Sequence, residues 1–185
     1  MLNRRRNHIR EKVETLLAES GITEPKVPVE RIAVRYGIDV RMQPIDEDIS
    51  GFLLRQAGEQ GAIIGLNSNH SPTRRRFTLA HELAHFFLHG DQGQQEVHID
   101  RTSRFQVKLR DPASSQGIDQ EEIEANVFAA ELLMPARFLE RDFIEHDGFD
   151  LSDDDHTAAA LAKRYGVSAQ AMSFRLANLG KLTLT

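Results

Sequence analysis

His81-Glu82-Leu83-Ala84-His85 places two imidazoles four residues apart. On a helix that spacing sets both rings on one face, one turn apart, where they can take adjacent corners of a tetrahedral zinc. Glu82 follows the first histidine, so its carboxylate can act as a general base on an attacking water and then hand the proton to a leaving amine. With 8 His in 185 residues, chance gives roughly 0.03 matches to this pattern. The surrounding stretch is strongly apolar (Phe77, Leu79, Ala80, Leu83, Phe86, Phe87, Leu88). Two histidines and a glutamate buried there carry a desolvation cost unless something satisfies them. A metal site satisfies all three.

A zinc ion that does chemistry needs a third protein ligand and an open fourth position. A glycine and a further histidine at the positions used by metzincins would supply it, but Leu88 and Asp91 stand there. His89 lies one turn beyond His85, too far along a straight helix axis to close a tetrahedron. A carboxylate from a later helix is the better geometry, and Glu121–Glu131 offers several. Glu124 flanks an apolar stripe of Ile123, Val127, Ala130 and Met134, and Glu131 lies about two turns further on a similar face. Glu121 and Glu122 fall in the first turn, where acids complement the helix dipole. Spacing alone leaves Glu124 and Glu131 open. Two histidines and one carboxylate suit zinc, and manganese as well.

The elements that must hold these residues follow from periodicity and punctuation. Ile9, Val13, Leu16 and Leu17 form a helical stripe that Gly21 ends. Pro28 opens a second helix that stops at Gly37. Three short strand-like runs follow, Ile38–Met42, Gly51–Gln56 and Ala62–Leu66, close enough to form a small antiparallel sheet. The last of these is a candidate edge for an extended substrate. Ser71-Pro72 starts the helix that carries the two histidines. Val97 and Ile99, then Phe105, Val107 and Leu109, alternate with polar residues and suggest a hairpin turning at 100–103. Asp119 opens the helix of Glu124, which Pro135 stops.

Composition narrows the classes further. The chain has no Cys, which excludes a disulfide scaffold, a Cys-based zinc finger, an iron–sulfur cluster and a thiol nucleophile. A net charge of −5 argues against a protein that coats nucleic acid. The basic start at Arg4-Arg5-Arg6 lacks the apolar run of a secretory signal, and no segment approaches the roughly 18 apolar residues of a membrane helix. A cytoplasmic protein with no membrane partner is the expectation.

Two longer segments carry a resemblance. Arg76–His85, followed by Glu122-Ile123-Glu124-Ala125-Asn126-Val127-Phe128-Ala129-Ala130-Glu131-Leu132-Leu133-Met134-Pro135, resembles the ImmA/IrrE metallopeptidases over roughly residues 29–182. The resemblance implies an α+β, mostly helical zincin-like peptidase core. It implies zinc on His81, His85 and Glu124, the glutamate of the Glu-Ala-Asn segment, with Glu82 catalytic. It also implies a gluzincin-like endopeptidase whose partner is a protein substrate, a helix-turn-helix repressor of the Xre type, cut to release stress or mobile-element genes.

Charge marks a subdomain boundary near residue 150: seven acids lie between Asp142 and Asp155, and none after Thr157. Residues 1–150 are expected to form the peptidase domain and 151–185 a helical subdomain. Leu161–Ser168, then Met172, Arg175 and Leu176, read as helix, tight glycine turn and helix, resembling a helix-turn-helix. This segment carries the rival reading, a DNA- or protein-binding regulator or toxin–antitoxin component whose metal is structural. Its second helix offers Gln170, Ser173, Arg175 and Asn178, thin for phosphate neutralisation. Arg74-Arg75-Arg76 reads as a solvated basic face. His98, His146 and His156 are candidates to donate to a developing oxyanion, and the sequence does not choose among them.

Overall fold

The computed structural model describes residues 2–55, 61–89, 96–101, 118–145 and 154–181. Helices α1 (Leu2–Glu19) and α2 (Val29–Arg35) precede strands β1 (Ile38–Gln43), β2 (Ile49–Arg55) and β3 (Ala62–Asn67). Helix α3 (Pro72–Ala84) runs on into a π-turn at His85–His89. Strand β4 (Glu96–Arg101) and helices α4 (Ile118–Leu133), α5 (Ala136–Glu145), α6 (Asp154–Tyr165) and α7 (Ala169–Asn178) complete the set. The fold is α+β. Two compact units divide it, 28–129 and 1–27 with 130–185, the division falling within α4. The boundary read near residue 150 lies outside the described residues.

The sheet differs from the expected three antiparallel strands. It has four strands in the order β1-β3-β2-β4, and β1 runs parallel to β3, from Ile38 opposite Ala62 to Gln43 opposite Asn67. Asn67 accounts for the departure. It is fully buried, and its side-chain amide donates to the carbonyls of Ile45, Asp46 and Ile49 at 2.9–3.1 Å while Oδ1 accepts from Asn69 N at 3.1 Å. These bonds pin the β1–β2 connection across the end of β3, so β2 enters on its far side and β3 becomes an interior strand. The substrate edge read at Ala62–Leu66 is therefore not an edge. Among the described residues the sheet ends at β1 and β4.

Register decides which side chains reach α3. Leu53 is opposite Ile64 and His98, and Gly51 is opposite Leu66 and Asp100. Cross-strand partners share a face. Leu53, Ile64 and Leu66 are buried on the face that meets α3, so His98 and Asp100 face α3 too. A Cβ at Gly51 would stand 2.6 Å from Cγ2 of Thr78, so glycine there lets α3 lie close on the sheet. Val97 and Ile99, read from sequence as the apolar face of this strand, turn outward and are 58% and 39% exposed. The second arm of the expected hairpin, 105–109, lies outside the described residues.

Ser71 caps α3 by accepting from the backbone N–H of Arg74 at 3.4 Å, with Pro72 in the first turn. Leu79, Ala80, Leu83 and Ala84 are buried together with His81 and Glu82, so the helix is enclosed around its girth. The following π-turn breaks the regular ladder. Arg55, buried at the end of β2, donates to the carbonyls of His85 and Phe86 and stacks on the Phe86 ring with its guanidinium 4.5 Å from the centroid. The three arginines before the zinc-type motif are not a solvated face. Arg74 donates to Ser50 Oγ at 3.1 Å, Arg75 to the Ser68 carbonyl at 2.9 Å, and Arg76 is buried 3.9 Å from Glu30.

In the other unit, Ile9, Val13, Leu16 and Leu17 of α1 are buried as the stripe predicts. Two fully or nearly buried carboxylates organise its helices. Asp142 accepts from Arg164 and from the Tyr165 hydroxyl at 2.8 Å, and Glu131 is paired with Arg175 and Arg10. Helices α6 and α7 are joined across Gly166, whose φ of 67° would strain any residue with a Cβ.

Candidate metal centre

His81 and Glu82 are buried on α3, and His85 is buried at the first position of the π-turn that continues it. The two motif histidines turn their Nε2 atoms to within 3.1 Å of each other. The carboxylate that completes this group comes from α4 and belongs to Glu122. Its Oε2 is 3.6 Å from His81 Nε2 and its Oε1 is 3.5 Å from His85 Nε2. Ligands held ~2.0–2.1 Å from a tetrahedral zinc stand about 3.3 Å from one another. The 3.1 Å between the two imidazoles and the 3.6 Å from His81 to Glu122 Oε2 fit neighbouring corners of such a site, while Oε1 of the same carboxylate is the oxygen that stands 3.5 Å from His85.

Glu124 is placed elsewhere. It is half-buried, its Oε2 lies 4.0 Å from His89 Nδ1, and its Oε1 accepts from Gln120 at 3.4 Å. The reason is the rotation of α4 about its axis. The stripe expected inward is Ile123, Val127, Ala130 and Met134; Met134 is buried, but Ile123 is 50% exposed, and the buried positions along α4 are Glu122, Ala125, Phe128, Ala129, Glu131, Leu132 and Leu133. Glu122 and Glu124 project about 200° apart around the helix, so a stripe shifted by one residue from that expected brings Glu122 inward and turns Glu124 away. Glu131, the other candidate, is committed to Arg175 at 2.9 Å. His89 turns its Nε2 to the Glu121 carbonyl at 3.1 Å rather than to its neighbours.

Outer contacts set the tautomers. His81 Nδ1–H donates to Asn126 Oδ1 at 3.2 Å, which leaves the Nε2 lone pair directed at the centre. Burial, reinforced by His85, holds the His81 pKa down at about 3, so the ring is neutral. Burial lowers His85 as well. The neutral form, which binds metal, is thereby favoured at His81. Glu122 stays well below the usual carboxylate range, because hydrogen bonds from His85 and His98 outweigh the upward push of burial.

Glu82 is fully buried, and burial pushes its pKa up to about 7. Its Oε2 is 3.3 Å from His98 Nδ1, while its Oε1 is buried without a hydrogen-bond partner among the described residues. An unsatisfied buried carboxylate oxygen costs free energy. A water held beside the three ligand groups would satisfy it, which fits a metal that keeps an open position.

His98 was one of three histidines the sequence could not separate. It enters the site from β4, with Nε2 2.9 Å from Glu122 Oε1 and its ring stacked on His85 at 3.7 Å between centroids. His146 and the side chain of His156 lie outside the described residues. Asp100, raised to about 6 by burial and then by Glu122, approaches from the same strand. Asp100 and Asn126 were missed. The signal for β4 lay in His98 and Asp100 alternating with Val97 and Ile99, which reads equally well with either face inward.

The frame is α+β, and its buried His-His-Glu group could hold one metal ion. A family model described as the IrrE N-terminal-like domain, a peptidase family, matches residues 33–177. The chain belongs to the ImmA/IrrE family of metallopeptidases. It is 36% identical over 116 residues to the radiation response metalloprotease IrrE of Deinococcus deserti, a match that covers 62% of this chain. It spans only 36% of that protein's length. Among solved structures, a Mycobacterium tuberculosis transcriptional regulator shares the fold with a TM-score of 0.58 at 18% identity, over 92% of this chain and 46% of that one.

Proposed function

We propose that this chain is a zinc-dependent endopeptidase, with His81, His85 and Glu122 as metal ligands and Glu82 as general base. The observation that carries the reading is the convergence of three buried ligand atoms beside a glutamate oxygen that has no other partner among the described residues. Zinc bound there would supply Lewis acidity, polarising a scissile carbonyl and acidifying a water. Manganese suits the same donors.

The chain's own residues do the rest. Glu82 Oε1 takes the proton of the attacking water and delivers it to the departing amine. A base pushed up toward neutrality by burial is matched to both halves of that transfer. Asn126 and His81 keep one lone pair aimed at the metal position. Strand β4 borders the site through His98 and is where an extended segment of a protein substrate would lie.

The substrate we infer is an intracellular helix-turn-helix repressor of the Xre type, cleaved in the cytoplasm to release stress or mobile-element genes. Family membership and the IrrE match support this reading. No helix among the described residues is long and apolar enough to cross a membrane. The test is to identify the adjacent gene and, if it encodes a helix-turn-helix repressor, to co-express its product. Cleavage is expected with wild type and lost in a Glu82→Gln protein that retains its zinc. Wild-type cleavage rates from that variant would overturn the mechanism.

A further inference from the structure

We propose that His98 is a positioning residue that fixes both carboxylates of the centre, holding Glu122 in its ligand orientation and Glu82 in its base orientation. The inference rests on the metallopeptidase reading above and extends it to a strand outside the two motif helices.

Three observations carry it. The first is placement: register puts His98 opposite the buried Leu53, on the side of β4 that faces α3, while its neighbours Val97 and Ile99 point outward. The second is engagement: one imidazole spans the two carboxylates, with Nε2 2.9 Å from Glu122 Oε1 and Nδ1 3.3 Å from Glu82 Oε2. The third is where the other oxygens stand. Glu122 Oε2 lies 3.6 Å from His81 Nε2, and Glu82 Oε1 has no hydrogen-bond partner among the described residues.

A carboxylate swings freely about its terminal torsion, which is broad and roughly two-fold. Tethering one oxygen fixes where the other points. His98 thus tethers one oxygen of each acid and sets the direction of the other. The ring is itself held by stacking on His85, at 3.7 Å and 26° between planes. It does not belong to the convergent His81–His85–Glu122 group, so it acts through these residues and not as a ligand.

Zinc affinity, measured by competition with a chromophoric chelator, tests this without any substrate. A glutamine amide nitrogen stands near the position of Nε2 and an asparagine amide near that of Nδ1. His98→Ala is expected to weaken zinc binding about 10–100-fold, the usual effect of losing an outer-shell partner. His98→Gln is expected to recover most of that loss, and His98→Asn, which reaches only Glu82, to recover little. If His98→Ala does not fold, the Gln and Asn pair decides: tighter zinc in the Gln protein supports the proposal, and equal affinities overturn it. Wild-type affinity in a folded His98→Ala protein overturns it alone. A wild-type protein that binds no zinc sinks the metal-centre reading and this inference with it.

Discussion

Glu122 and Asn126 sit one turn apart on α4, and both face His81, the first through a carboxylate oxygen at 3.6 Å and the second through an amide oxygen at 3.2 Å. A single helix face therefore supplies a proposed ligand and the group that orients a different one. Asn126→Ala removes the acceptor that keeps the His81 proton on Nδ1. Its zinc affinity should drop by about 10–100-fold with little change in far-ultraviolet circular dichroism. Undiminished binding would mean that packing on α3 alone orients the ring.

Glu122 and Glu124 are two residues apart and chemically identical, so paired substitutions separate them. Glu122→Gln should weaken zinc at least about 100-fold, beyond an outer-shell effect. Glu124→Gln should bind within about 3-fold of wild type, because its carboxylate contacts Gln120 and His89. The opposite ranking would restore Glu124 as the ligand.

That pair also shows how far the sequence could be read. That His81, Glu82 and His85 lie together on one helical run, with a carboxylate brought to them from a later helix, was legible, because spacing on one helix fixes relative position. The choice of glutamate was not. It depends on the rotation of α4 by one residue, and Ile123 looked like core until its exposure of 50% was seen. Sheet topology was hidden for a similar reason. The parallel β1–β3 pair is set by Asn67 reaching back more than twenty residues in sequence to Ile45, and no local pattern announces such a bond. His98 could be named as a candidate, but only the β2–β4 register selects it.

In the metal-free protein His98 links stability to pH. Burial opposes its protonation, yet its hydrogen bonds to Glu122 and Glu82 lift its pKa from 6.5 to about 10. A histidine raised in the folded state stabilises fully below the unfolded pKa, and that stability drains away as pH climbs toward the folded value. Glu82, raised to about 7, also loses its contribution on rising pH, but that loss is nearly complete at neutrality. Between about pH 7.5 and 9.5 His98 should therefore dominate the slope. The Tm of metal-free wild type should fall across this window, and the fall should flatten in His98→Gln. Each ~1 kcal/mol lost corresponds to about 2–4 °C for a chain of this size. Identical slopes in the two proteins would show that the ring is not charged in the folded state.

Arg175 lies on the second helix of the segment that suggested DNA recognition, and its structural commitments argue for a different role. The side chain is buried, donating through Nη1 to Glu131 at 2.9 Å and through Nε to the Met134 carbonyl at 3.0 Å. Helix α7 contains no other charged residue, so its one cation is turned away from any phosphate. Arg175→Ala leaves a buried carboxylate with only the half-exposed Arg10 beside it, 3.3 Å away. Breaking a buried pair from one side costs about 3–5 kcal/mol, and Arg10 should bring the loss toward the lower end. At ~2–4 °C per kcal/mol, thermal unfolding should register a drop of roughly 6–15 °C. Replacing both partners, Glu131→Leu with Arg175→Met, should recover most of it, since a well-packed apolar pair avoids the stranded charge. Neither wild type nor variant should shift duplex DNA in a salt-dependent manner. A gel shift present in wild type and abolished by Arg175→Ala, with the Tm unchanged, would instead make this arginine a phosphate contact.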